Sequence, residues 1–114
     1  HDFASFGVNP KRELDSTVRT IHRLELIENG AYLHLLFLGD RFLYKMIRSL
    51  VGFLVDIGRK PSRCRPTPCV ALAARDRSAV PETAPPHGLC LARVFFETMP
   101  WDEYVPPLPP HYPT

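Results

Sequence analysis

No apolar run in this 114-residue chain is long enough to cross a bilayer, and no signal-peptide pattern opens it. Its three cysteines, Cys64, Cys69 and Cys90, are odd in number and lack CxxC spacing. That argues against a disulfide framework and against a zinc site, and predicts reduced thiols in an intracellular protein. The chain also lacks a glycine-rich phosphate loop, an internal repeat, a Ser-His-Asp set and paired carboxylates at catalytic spacing. Nucleotide-cradling and triad chemistry therefore have no support in the residues.

What is present is ordinary in amount and unusual in arrangement. With 45% hydrophobic and 23% charged residues, the composition is that of one small globular domain with a core of its own. His1 is not a natural start, so a fragment or excised domain is expected, with any targeting sequence upstream. The net charge of +2 conceals segregation. Residues 41–77 hold nine basic side chains against Asp56 and Asp76, a net +7, while the flanks carry −2 and −3. A cationic middle suits a polyanion, RNA or DNA first.

The longest periodic stretch is residues 39–58. At 100° per residue, Phe42, Leu43, Met46, Ile47, Leu50, Phe53, Leu54 and Ile57 fill one broad face. This predicts a helix entered through an Asp40 N-cap and stopped near Gly58 in a left-handed conformation. The opposite face sets Arg48 among Tyr44, Val51, Gly52 and Val55. A guanidinium among apolar or small neighbours needs an anion, and Tyr44 and Gly52 at i±4 supply none. The anion must come from elsewhere in the fold, another chain segment or a ligand.

Residues 16–27 alternate, with Val18, Thr20, His22, Leu24 and Leu26 on one side, as a half-buried strand does. Asn29-Gly30 predicts a hairpin, and residues 31–38, apolar on both faces, a central strand. His22 and His34 read as strand residues rather than ligands. Residues 59–66 form a basic, proline-broken surface loop whose Arg59, Lys60, Arg63 and Arg65 suit phosphate contacts. Thr67-Pro68 opens a second helix that ends near residues 75–77. Residues 89–96, apolar apart from Arg93, read as a third strand. The tail from Met99 has six prolines in sixteen residues and is expected to be extended or disordered. The order β-β-α-α-β is α+β, an antiparallel hairpin plus a further strand with helices packed on one face of the sheet.

Several stretches together resemble one family. They are His1-Asp2-Phe3-Ala4-Ser5-Phe6, Val18-Arg19-Thr20-Ile21, and Phe42-Leu43-Tyr44-Lys45-Met46-Ile47-Arg48 continuing to Val51-Gly52. Ala73-Ala74-Arg75-Asp76-Arg77 and Thr83-Ala84-Pro85-Pro86-His87-Gly88-Leu89-Cys90-Leu91 follow in the same order. Over residues 1–97 the chain resembles the C-terminal half of the catalytic domain of TruA-type tRNA pseudouridine synthases; residues 98–114, the proline-rich tail, stand outside the resemblance.

The resemblance implies isomerisation of uridine to pseudouridine in tRNA, with no metal or organic cofactor. It implies a catalytic Asp in an Arg-Thr-Asp-x-Gly-Val-His motif that this chain does not contain. The expected partners are therefore tRNA and the N-terminal half of the same domain, and this chain alone is expected to be inactive. Arg48 is implied to pair with that Asp and Leu89 to pack against the target base, with Tyr44 and Lys45 at the site rim. The sequence departs from the family pattern at three places: Ser49 stands where Asn is common, Cys90 where Tyr is usual, and Gly58-Arg59-Lys60-Pro61 where Gly-x-Gly-Lys is usual. The alternatives are a non-catalytic RNA-binding module of the same fold, and a structural or homodimerising domain that uses its free sheet edge and proline tail.

Overall fold

The computed structural model describes residues 1–7, 16–59, 67–80, 83–96 and 103–105. Lys60, Arg63 and Arg65 of the basic loop, and the proline-rich tail apart from residues 103–105, lie outside the described residues. Two strands, β1 (Ile21–Asn29) and β2 (Tyr32–Gly39), form an antiparallel hairpin, and two helices follow, α1 (Met46–Arg59) and α2 (Pro68–Ala74). Short 3₁₀ turns stand at Ala4–Phe6, Arg77–Ala79 and Pro86–Gly88. The α+β class is the one the sequence predicts.

The hairpin turns one residue later than the Asn-Gly signal suggests. Asn29 pairs with Tyr32, so Gly30 and Ala31 are the loop residues, and Gly30 takes φ +60° at the first loop position. Positive φ at that position alone matches a type II′ turn, which favours glycine there. The alternation along β1 is present, but the charged side is the less exposed one. Leu24 and Leu26 are 50% and 58% exposed, while Ile21, Arg23, Glu25 and Ile27 are partly covered. The cover comes from far along the chain: Arg23 pairs with Glu25, and its Nη1 donates to the Tyr104 carbonyl at 2.5 Å.

Helix α1 begins at Met46, later than the Asp40 cap would place it. Lys45 holds φ +60°, a left-handed conformation that a helix cannot continue through. Its carbonyl is secured by two donors, Ser49 N at 3.0 Å and Ser49 Oγ at 2.9 Å. Asp40 instead meets His22 at 2.5 Å on the surface. The helix runs through Gly58, whose φ is not positive, and ends at Arg59. Helix α2 behaves as predicted: the Thr67 hydroxyl accepts from Val70 N, Pro68 opens the first turn, and Arg75 closes it at φ 50°.

The core gathers Phe3, Phe6, Leu43, Met46, Phe53, Ala71 and Val80. Phe6 meets Phe53 edge-on with centroids 5.6 Å apart, and Phe3 meets Phe6 at 6.3 Å. Of the apolar face predicted for α1, Leu43, Met46 and Phe53 are buried, whereas Phe42 and Leu54 remain 39% and 38% exposed. The N-terminal motif is sewn to residues 17–19 by Phe3 N to Thr17 O, Arg19 N to His1 O and the Thr17 hydroxyl to Asp2 at 2.6 Å. Ser5, fully buried, accepts from Asp76 N at 2.9 Å and so joins two motifs across 71 residues of chain. Met46 and Phe53 seat α1 in this core, and α1 carries Arg48.

The predicted third strand is not formed. Among the described residues the sheet has two strands, and residues 89–96 carry no ladder. Apolar residues on both faces make a stable strand only when they pair with a sheet edge and are covered, and here residues 89–96 pair with neither strand while Leu91 and Phe96 stay 79% and 95% exposed. The tail expectation also needs correction at one point. Tyr104 is buried, with its ring edge-on to Phe95 at 5.2 Å.

Candidate functional site

An open cleft of about 870 Å³ lies between β2, the start of α1 and residues 84–95. Its floor comes from β2, where a period of two puts His34, Leu36 and Leu38 on one face of the strand. One wall is the first turns of α1, with Lys45, Arg48 and Val51. The other wall carries Leu89, Leu91 and Arg93. Among the described charged lining residues, Asp40 alone is acidic, against Arg41, Lys45, Arg48 and Arg93. A cleft so biased concentrates anions, and its low-dielectric walls strengthen the effect.

Arg48 is half-buried, and its position is set by one loop. Its Nε donates to the Ala84 carbonyl at 2.8 Å, while Ala84 N donates back to the Arg48 carbonyl at 2.9 Å. Nε is thereby engaged on the edge of the guanidinium nearest the helix, while Nη1 and Nη2 form no bond to a described carboxylate. Among the described residues no carboxylate stands within ion-pair distance of Arg48. The guanidinium can therefore receive an anion through two parallel donors, the geometry a carboxylate or phosphate prefers.

Leu89, 53% exposed, follows the 3₁₀ turn Pro86–Gly88, which its own N–H closes onto Pro86 O at 3.0 Å. It lines the same cleft as Arg48 and Lys45. An exposed aliphatic wall opposite a cation suits a flat, partly apolar anionic ligand such as a nucleotide. Tyr44 does not line the cleft; its ring stands under Lys45 Nζ at 5.3 Å. Arg59 is exposed at the far end of α1, three turns from Arg48, and does not reach the cleft. Lys60, Arg63 and Arg65 lie outside the described residues.

Sequence reasoning missed Arg41, His34, His87, Arg93 and Tyr104, which also line the cleft. Arg93 was visible as the one charge in an apolar run, and it stacks over Phe95 at 5.2 Å. His34 lies in β2, as the apolar run predicts, but whether it meets a cleft depends on what covers the hairpin. Tyr104 had no sequence signal at all. Among the described residues, no three His, Cys, Asp or Glu side chains stand together as a metal site, and no helix is long and apolar enough to cross a membrane.

Comparison with known proteins places the chain beside one family. A family model described as tRNA pseudouridine synthase matches residues 1–97. The tRNA pseudouridine synthase A of Exiguobacterium sibiricum is 50% identical over 97 residues, covering 84% of this chain and 38% of that protein. The proteins of the same name from Chlamydia trachomatis and Geobacillus kaustophilus are 43% and 40% identical, each over 97 residues, covering 84% and 85% of this chain and 35% and 37% of theirs. The chain thus spans little more than a third of the length of these relatives. No solved structure matches it.

Proposed function

This chain belongs to the tRNA pseudouridine synthase family, and from that premise we propose that it forms the Arg48 side of an active site that isomerises uridine to pseudouridine in tRNA. In this reading residues 1–97 are the C-terminal half of the catalytic domain, and residues 98–114 are an appended tail. The reaction breaks the bond between the ribose and the base nitrogen and forms one from the same ribose carbon to carbon 5 of the base; carbon 5 gives up its proton and the released nitrogen gains one, so the composition is unchanged and no cofactor is consumed.

A carboxylate from a segment outside this chain pairs with the terminal amino groups of Arg48. The pairing holds it ionised and oriented where water is partly excluded. Leu89 packs against the uracil once it has left its stack, and Lys45 sits at the rim with Tyr44 beneath it. Arg59, Lys60, Arg63 and Arg65 contact tRNA phosphates. A tRNA substrate and free thiols at Cys69 and Cys90 suit an intracellular compartment. The observation that carries the proposal is Arg48, fixed by Ala84 in a cationic cleft and without a carboxylate among the described residues.

The test is a chimera in which residues 1–97 replace the matching segment of the Exiguobacterium sibiricum relative. The chimera should form pseudouridine in tRNA, and Arg48→Ala should abolish it; near-parental turnover of that variant would sink the proposal. A folded chimera that binds tRNA without forming pseudouridine would favour a non-catalytic RNA-binding module instead.

A further inference from the structure

Gly52 lies one turn after Arg48 on α1, where an interior glycine is unfavourable for the helix and needs a reason. The reason is contact with another backbone. A Cβ at position 52 would stand 3.0 Å from Ala84 N, 3.1 Å from Thr83 N and 3.2 Å from Thr83 C. All three are main-chain atoms, so no side-chain rotation relieves the crowding; the loop itself must move. Gly58 on the same helix has open space around a Cβ. The requirement is therefore local to position 52.

The loop seated on Gly52 is the one that fixes Arg48. Ala84 exchanges two hydrogen bonds with Arg48, at 2.8 and 2.9 Å, and Arg77 Nη2 ties Thr83 Oγ1 from the other side at 2.7 Å. Five residues after Ala84 the same loop delivers Leu89 to the cleft. We infer that Gly52 is a positioning residue, whose missing side chain lets the 83–84 backbone dock on α1 and so sets Arg48 and Leu89 together. The inference rests on the function proposed above for those two residues.

A shift of about 1 Å in a catalytic constellation costs on the order of a hundredfold in rate. In the chimera, Gly52→Ala should lower kcat by about tenfold and Gly52→Val by about a hundredfold. KM for tRNA should stay within about twofold, because phosphate contacts are untouched, and Gly58→Ala should leave both constants within about twofold. Independently of activity, the Ala84 amide of the 114-residue chain should be protected from hydrogen exchange, and Gly52→Ala should speed its exchange by at least about tenfold while Gly58→Ala does not. If Gly52→Val does not fold, Gly52→Ala carries the test alone.

The inference is overturned by a Gly52→Ala kcat within about twofold of the unsubstituted chimera. It is also overturned by a loss no larger than the fraction unfolded, or by unchanged Ala84 exchange. Inactive Arg48→Ala beside fully active Gly52→Ala would refute the positioning role alone. Active Arg48→Ala would refute the proposed function itself.

Discussion

Replacing Arg48 by lysine separates the two tasks of one guanidinium. In the structure Nε serves Ala84 O at 2.8 Å, and among the described residues Nη1 and Nη2 meet no carboxylate. Lysine keeps the charge but places a methylene where Arg48 has Nε, so the bond to Ala84 O is lost, and it offers an anion one nitrogen instead of two. A hydrogen bond to a charged group is worth about 1.5–3 kcal/mol, and half-exposure places this one near the lower end. Loss of about 1.5 kcal/mol should lower Tm by roughly 6–12 °C for a domain of this size. The loss of two-point anchoring should lower kcat by about a hundredfold, equivalent to about 2.7 kcal/mol of transition-state stabilisation. Arg48→Gln should divide the effects the other way, since its amide can still reach toward Ala84 O but has no charge. It should be more stable than the lysine variant and less active. Thermal denaturation of the 114-residue chain gives the first quantity, and nucleoside chromatography of tRNA treated with the chimera gives the second. An Arg48→Lys protein with unchanged Tm and kcat within twofold would refute both assignments.

Three further outcomes follow from other parts of the molecule. Phe53, 1% exposed and edge-on to Phe6, should cost about 3–5 kcal/mol when replaced by alanine, read as a lowered urea midpoint. The Thr17 hydroxyl holds the Asp2 carboxyl below its ordinary range; burial opposes this, while Ala4 N–H and the charges of Arg75 and the N-terminus reinforce it. A depressed folded pKa stabilises above the unfolded value of about 3.9 and is lost as pH falls through the folded one. Stability should therefore drop below about pH 4, and Asp2→Ala should cost about 1 kcal/mol at pH 7 and flatten that drop in pH-dependent melts. Leu89→Ala, at a half-exposed position, should change stability by no more than about 0.5 kcal/mol while lowering kcat/KM for tRNA. A stability loss matching the activity loss would place Leu89 in the fold instead of the site.

Much of the fold was legible because it rests on short-range chemistry. The Thr67-Pro68 start of α2, the hairpin at Gly30 and the apolar stripe of α1 depend on dihedral preference and on periodicities that neighbouring residues carry themselves. Arg48 was legible for a similar reason: a cation among Tyr44, Val51 and Gly52 is anomalous wherever the helix lies. The first turn of α1 was not legible, because Lys45 adopts φ +60° at a position where sequence favours no such residue. Its carbonyl is held by Ser49, and the buried Leu43 anchors the chain just before it.

The sequence by itself determined the α+β class, the order of the hairpin and helices, and the arginine around which a site could form. Only the tertiary structure decided which side of β1 is covered, since Tyr104 arrives from 81 residues away to meet Arg23. It also decided that residues 89–96 stay outside the sheet, and that Gly52 touches the backbone of Thr83 and Ala84. The physical division is one of range. Propensity and amphipathicity are properties of a few adjacent residues, whereas burial, a free sheet edge and a missing Cβ acquire meaning only when a distant segment comes to lie against them.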